Sequence, residues 1–168
     1  MSQFYAQPYD LDASGFYFET AEDYAAKAAA LINRYGDPVE EFEIQFIDGE
    51  AIDAALAAAV GLHQGSVGAF IACAEGWDED EKRRVIIAVS ECGYRFDLET
   101  DTPDQFDLDI YEGLTMRELA EQFVEEGLFG DIPEQLAGYI DYDAIARDLA
   151  MDYGETTIAG TSLIYRSA

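Results

Sequence analysis

Apolar and polar side chains alternate along much of the chain, and the alternation marks out its elements. Residues 3–9 read as a short strand, with Pro8 at a sheet edge or a strand end. A turn over 10–14 leads to a second strand from Gly15 to Glu19. Over 39–47, Phe42, Ile44 and Phe46 point one way and Glu41, Glu43 and Gln45 the other, which predicts a half-buried strand with an acidic outer face. Between these strands an Ala-rich run predicts a helix over roughly 21–34. Thr20 and Asp23 open it in the manner of a capping box, and Gly36 stands where it would end.

Residues 50–75 predict short helices broken by Gly61, Gly65, Gly68 and Gly76. A run of four acids, 78–81, opens a helix that continues to about Glu91 and stops at Cys92-Gly93. The alternation over 94–112 predicts two strands around a turn from Thr100 to Asp104. Thr115 and Glu118 form a capping box for a helix of about 116–126. Its inner face is Leu119, Ala120 and Phe123, and its outer row is Glu118, Glu121 and Glu125. Pro133 opens a short helix of about 133–138, and Asp141 caps another of about 142–151, ended by Gly154. A hairpin of 156–159 and 162–165 around Gly160-Thr161 closes the chain. The expected class is α+β: an elongated chain of three small domains with antiparallel sheets and short helices. The domains are a sheet-plus-helix unit over 1–56, a mainly helical unit over 57–103, and a C-terminal α/β unit over 104–168.

Composition changes this picture through charge. The 168 residues are 49% hydrophobic, enough for a core and too many for a disordered acidic tail. Against 36 Asp and Glu stand 9 Lys and Arg, a net charge of −27. The excess is spread out: net −10 over 1–56, −5 over 57–103 and −12 over 104–168, with 54–74 free of acids. This balance excludes the basic footprint of a nucleic-acid binder and disfavours an anionic membrane surface. It favours a basic partner, bound cations or a high-salt habitat, because self-repulsion otherwise destabilises the fold. No apolar run reaches 18 residues, and the start lacks a basic n-region. Cys73 and Cys92 form no metal or disulfide framework, so a reduced, cytoplasmic protein with buried thiols is expected.

Searching for chemistry yields little. His63 is the sole histidine, and its position near a helix end suits a structural role. No nucleophile elbow, phosphate loop or dinucleotide turn is present. A calcium loop started at Asp107 would place Asp109 and Glu118 correctly, but Glu112 stands where the turn needs glycine. Carboxylate pairs are uninformative among 36 acids, so no catalytic residue, metal or cofactor is expected. The charge itself is suggestive. At one charge per ~1.7 Å of duplex axis, −27 matches about 46 Å of DNA, roughly 13 base pairs. Laid out along an elongated body, it would compete for a channel built to grip phosphates.

The C-terminal third carries a distinctive skeleton: Gly130-Asp131-Ile132-Pro133, Leu136, Tyr139-Ile140-Asp141-Tyr142 and Arg147-Asp148-Leu149. Gly15-Phe16-Tyr17-Phe18, Glu40 to Ile44, and Asp48 add to it. This pattern resembles the ArdA antirestriction family. The resemblance implies an elongated, three-domain, non-enzymatic DNA mimic. Such a protein is carried on mobile elements and blocks type I restriction-modification enzymes by occupying their DNA site. It also implies a homodimer joined through the C-terminal region, with no direct nucleic-acid binding and no membrane.

Within the motif, Ile132, Leu136, Tyr139, Ile140 and Leu149 are expected in the core, Asp141 at an N-cap, and Arg147 paired with an acid. The functional surface would then be the acids around it: Asp107, Asp109, Glu112, Glu118, Glu121, Glu125, Glu126, Asp148 and Asp152. Two other readings stay open: halophile-type acidity over another function, which the presence of just two lysines fits, and an acidic module for a basic protein. A melting curve with and without molar salt separates the first of these. A mimic is expected to stay folded in ordinary buffer, whereas a halophilic protein unfolds there.

Overall fold

Phe4 and Ala6, side by side on one strand, organise the N-terminal half. In the computed structural model, which describes residues 1–168, this strand is β1 (Gln3–Pro8). It lies between β2 (Phe16–Phe18) and β3 (Phe42–Asp48), antiparallel to both. β1 is therefore the central strand, and Pro8 sits at its end, where a missing N–H is tolerated. Phe18, Phe46, Phe42 and Ile44 share the inner face with Phe4 and Ala6. The Phe4 ring meets Phe18 at 5.2 Å and Phe46 at 5.4 Å between centroids. Phe70 closes the cluster at 6.0 Å from α3 (Val67–Gly76).

α1 (Ala21–Ala30) covers the same face through Tyr24, whose ring touches those of Phe16, Phe18 and Phe42. Thr20 accepts from the Asp23 N–H, but the reciprocal half of the box is missing, because the shorter Asp23 carboxylate is held by Lys27 instead. The helix stops at Ala30, four residues before the expected end. Leu31 turns extended, and its carbonyl accepts from Val39 N–H beside an Ile32–Pro38 bridge. Asn33 holds that loop together: its Oδ1 accepts from the N–H groups of Tyr35 and Asp37. Gly36 serves this turn, at φ +89°, rather than the helix end.

α2 (Ala51–Val60) ends at Gly61 in the left-handed region. A 3₁₀ turn, Gln64–Ser66, leads into α3. α4 (Glu79–Ser90) follows, opened by a full Asp78–Glu81 capping box. Val85, Ile86, Ile87 and Ala88 are all buried, so α4 is enclosed on every side and packs against α2. The two helices are tied by one ion pair, Lys82 Nζ to Asp53 Oδ1 at 2.6 Å, with both side chains more than nine-tenths buried. That oxygen has no other partner.

Residues 94–106 do not form the expected strand. Asp97 folds them locally: its carbonyl accepts from Thr100 and Asp101, and its Oδ1 accepts from Glu99 N–H. The alternating aromatics are spent on one another instead. Phe106 stacks with Tyr94 at 5.4 Å and meets Phe96 at 5.8 Å, and Phe96 meets Trp77 at 5.7 Å.

The chain divides into two compact units, Met1–Phe106 and Asp107–Ala168. The second is a sheet of order β4 (Leu108–Glu112), β6 (Thr161–Ser167), β5 (Gly154–Ile158), all antiparallel. α5 (Met116–Glu125) and α6 (Tyr142–Leu149) pack against each other, and Leu119, Phe123, Tyr153 and Ile164 form the core. Between the helices, 134–139 is a 3₁₀ segment and not the expected α-helix. Gly154 opens β5 rather than ending α6, and a Cβ there would run into the Tyr165 ring. The hairpin turn is Ala159-Gly160, both at positive φ (50° and 82°), the twist a two-residue β-hairpin requires.

No single helix is long and apolar enough to cross a membrane. The Lys82–Asp53 pair gives the sharpest stability test. Asp53→Ala strands a buried ammonium and is expected to cost about 3–5 kcal/mol, read as a lowered denaturation midpoint. Lys82→Met combined with Asp53→Leu is expected to recover most of that loss.

Candidate protein-binding surface

Carboxylates outnumber cations in both units: 22 to 6 in Met1–Phe106 and 14 to 3 in Asp107–Ala168. What matters for recognition is how the few cations are used. Seven of the nine are tied to groups of their own chain. Lys27 holds Asp23, Arg34 holds Asp12, Lys82 holds Asp53, and Arg83 holds Glu79 and Asp80. Arg84 donates to the Phe106 carbonyl, Arg117 bridges Glu121 and Asp143, and Arg166 holds Asp109 at 2.7 Å. Arg95 and Arg147 are the exceptions, so the pairing expected for Arg147 is not made. Most of the cations are thus committed to fixed partners within the chain, and acids outnumber them in both units.

The nine acids proposed from sequence divide by local employment. Glu118 completes the capping box of α5, its Oε2 accepting from Thr115 N–H at 2.8 Å. Those bonds hold its carboxyl below the usual glutamate range. Asp109 lies on β4 opposite Arg166. Glu121, half-buried, accepts from Arg117 across one helical turn. Glu126 caps the end of α5 and accepts from Gln122. Glu112 ends β4, exposed. Asp107, Glu125, Asp148 and Asp152 are exposed, at the mouth of β4, the end of α5, the end of α6 and the turn before β5.

Of the motif residues expected in the core, Leu149 packs against the cluster of Leu119, Phe123, Tyr153 and Ile164, and the others are not part of it. Leu136 is 53% exposed and Tyr139 86% exposed, while Ile132, Ile140 and Leu149 are half-buried. Leu128, Phe129 and Met151 of the same unit are exposed as well. The segment is punctuated by Gly127 and Gly130 at positive φ and by Pro133, so it has no helix long enough to turn one apolar face inward. That punctuation was the signal in the sequence that the motif forms a surface. Asp141 does cap α6, its Oδ1 accepting from Ala144 N–H.

The N-terminal sheet offers a second surface. Its outer face carries Tyr5 and Tyr17 paired across strands at 4.8 Å, with Gln45 and Glu43 beside them. Elsewhere little chemistry is available. His63 caps the 3₁₀ turn at 64–66, its Nδ1 accepting from Gly65 N–H. Burial pushes both thiols up, the opposite of what a reactive cysteine needs. A cavity of about 450 Å³ is lined by Glu19, Glu50, Asp53, Glu75, Trp77 and Lys82 among others, without a nucleophile–base pair. No three His, Cys, Asp or Glu side chains gather as a metal site.

The Glu118 cap makes a pH test. Its lowered folded value means its stabilisation is present above the ordinary glutamate range and is lost as pH falls through the folded value. The gap in denaturation midpoint between the native protein and Glu118→Gln is therefore expected to be open at pH 7 and to close toward pH 3. A gap that persists at low pH would show that the cap does not act through its charge.

Comparison with individually curated proteins gave no match. The family model for the antirestriction protein ArdA matches residues 5–162, which spans both units. That match, over nearly the whole length of a chain whose surface is rich in carboxylates, places this protein in the ArdA family of antirestriction proteins, non-enzymatic mimics of DNA.

Proposed function

We propose that the protein blocks type I restriction-modification enzymes by laying its exposed carboxylates along their DNA-binding channel. The observation that carries this is the use of the cations. With seven of nine tied within the chain, the surface offers a partner almost unrelieved negative charge, as a duplex does. The acids that contribute most are Asp107, Glu125, Asp148 and Asp152, which serve no structural role. Asp109, Glu112, Glu118, Glu121 and Glu126 add to the same field while serving the fold or a neighbour. In this proposal the acids lie along an elongated body, and the protein acts in the cytoplasm.

Homodimerisation belongs to the same proposal. The exposed side chains of Leu128, Phe129, Leu136, Tyr139 and Met151 offer apolar surface for a twofold contact. A dimer would double the length of the carboxylate track.

The test is inhibition of a purified type I enzyme. Cleavage is expected to be blocked at low salt, with affinity falling steeply as salt rises. Replacing Asp107, Glu125, Asp148 and Asp152 together by their amides should flatten that salt dependence, and any one alone should change affinity less than about twofold. Solution scattering should show a long dimer, and Leu136→Asp with Tyr139→Asp a monomer. Absence of inhibition at low salt would remove the proposal, and a compact particle would remove its elongated form.

A further inference from the structure

The outer face of the N-terminal sheet does more than carry charge. On β2–β1–β3 the residues opposite the core are Tyr17, Tyr5 and Gln45 in one row and Gln7 and Glu43 in the next. Tyr17 is 54% exposed, and Ile47 on β3 is 45% exposed. Strand alternation carries Glu41, just before β3, to the same side, and it is exposed. The centre of the face is thus aromatic and uncharged, and its rim is acidic. This is the anatomy of a protein-binding patch, in which tyrosine is enriched at the centre and charge is kept to the edge.

We propose that this face is a docking surface for arginine side chains of the enzyme's DNA-binding channel, with the Tyr17 and Tyr5 rings taking the guanidinium plane and Glu41 and Glu43 its charge. The inference rests on the DNA-mimic reading and adds a contact that charge alone does not supply. Charge complementarity names the occupant's sign, since the unit holding this face has 22 acids against 6 bases. The rings name its type. A guanidinium is planar and weakly hydrated, stacks on aromatic faces and reaches carboxylates with the same fork, which an ammonium cannot do. The chain already shows this chemistry internally: Arg166 lies over the Tyr153 ring at 5.1 Å while it holds Asp109 at 2.7 Å. Arg34 lies over Tyr35 at 4.8 Å. The nearest cation to the patch, Lys27, reaches the Tyr17 carbonyl but is held there by Asp23, so it does not occupy the ring.

Two measurements test it. In binding to a purified type I methyltransferase core across a salt series, Tyr17→Ala should weaken affinity about 5- to 10-fold and leave the slope of affinity against salt unchanged. Tyr17→Phe should bind as the native protein does, and Glu43→Gln should lower both affinity and slope. Independently of any enzyme, the Tyr17 ring resonances of the native protein should shift with a nona-arginine peptide and respond far less to nona-lysine. Tyr17→Ala binding at native strength, or ring resonances that respond equally to both peptides, would overturn the docking surface while leaving the DNA-mimic reading in place. Failure of the native protein to bind the enzyme at all would overturn both.

Discussion

Everything in this protein is arranged around mutual repulsion among 36 carboxylates opposed by only 9 cations. Like charges a few ångströms apart in water repel by about 1 kcal/mol, and salt screens them only beyond a Debye length of about 8 Å. The chain answers by giving the interior to apolar and aromatic groups and by using cations as local ties. The Phe4 cluster and the enclosed α4 hold the first unit, and the Leu119, Phe123, Tyr153 and Ile164 cluster holds the second. The exposed ion pairs contribute little stability each. Their effect is on the field: a cation bound to one fixed carboxylate no longer offsets its neighbours.

The elements that were legible in the sequence are those fixed by local chemistry. Asp78 with Glu81 and Thr115 with Glu118 open α4 and α5, because a side chain three residues away satisfies an otherwise orphaned N–H. The alternation of Phe42, Ile44 and Phe46 appears in β3. Where local and distant partners compete, the pattern misled. Phe96 and Leu98 alternate with acids as strand residues do, yet Asp97 ties the backbone into a turn and Phe96 packs on Trp77 and Phe106. Leu136 and Tyr139 are apolar enough for a core, and hydrophobicity alone does not say that nothing in the chain covers them.

The binding surface was legible in kind but not in detail. Net charge and the skeleton over 130–149 pointed to a mimic, and the family match agrees. Which acid does what was hidden, because Glu118 and Glu125 look alike in a sequence. Only the structure separates a carboxylate occupied by Thr115 from one that faces solvent with no bond. The outer-face tyrosines are hidden in the sequence for a related reason. Gly15-Phe16-Tyr17-Phe18 reads as a uniformly aromatic strand, and its sidedness becomes plain only from the pairing of Tyr17 with Tyr5.

The inward Lys82–Asp53 pair joins α2 to α4 while cancelling its own charge. Structural integrity is thereby lodged in buried residues rather than in the exposed acids. Solvent-facing acids can migrate, vanish or reappear over generations without loosening the scaffold, provided their sum persists.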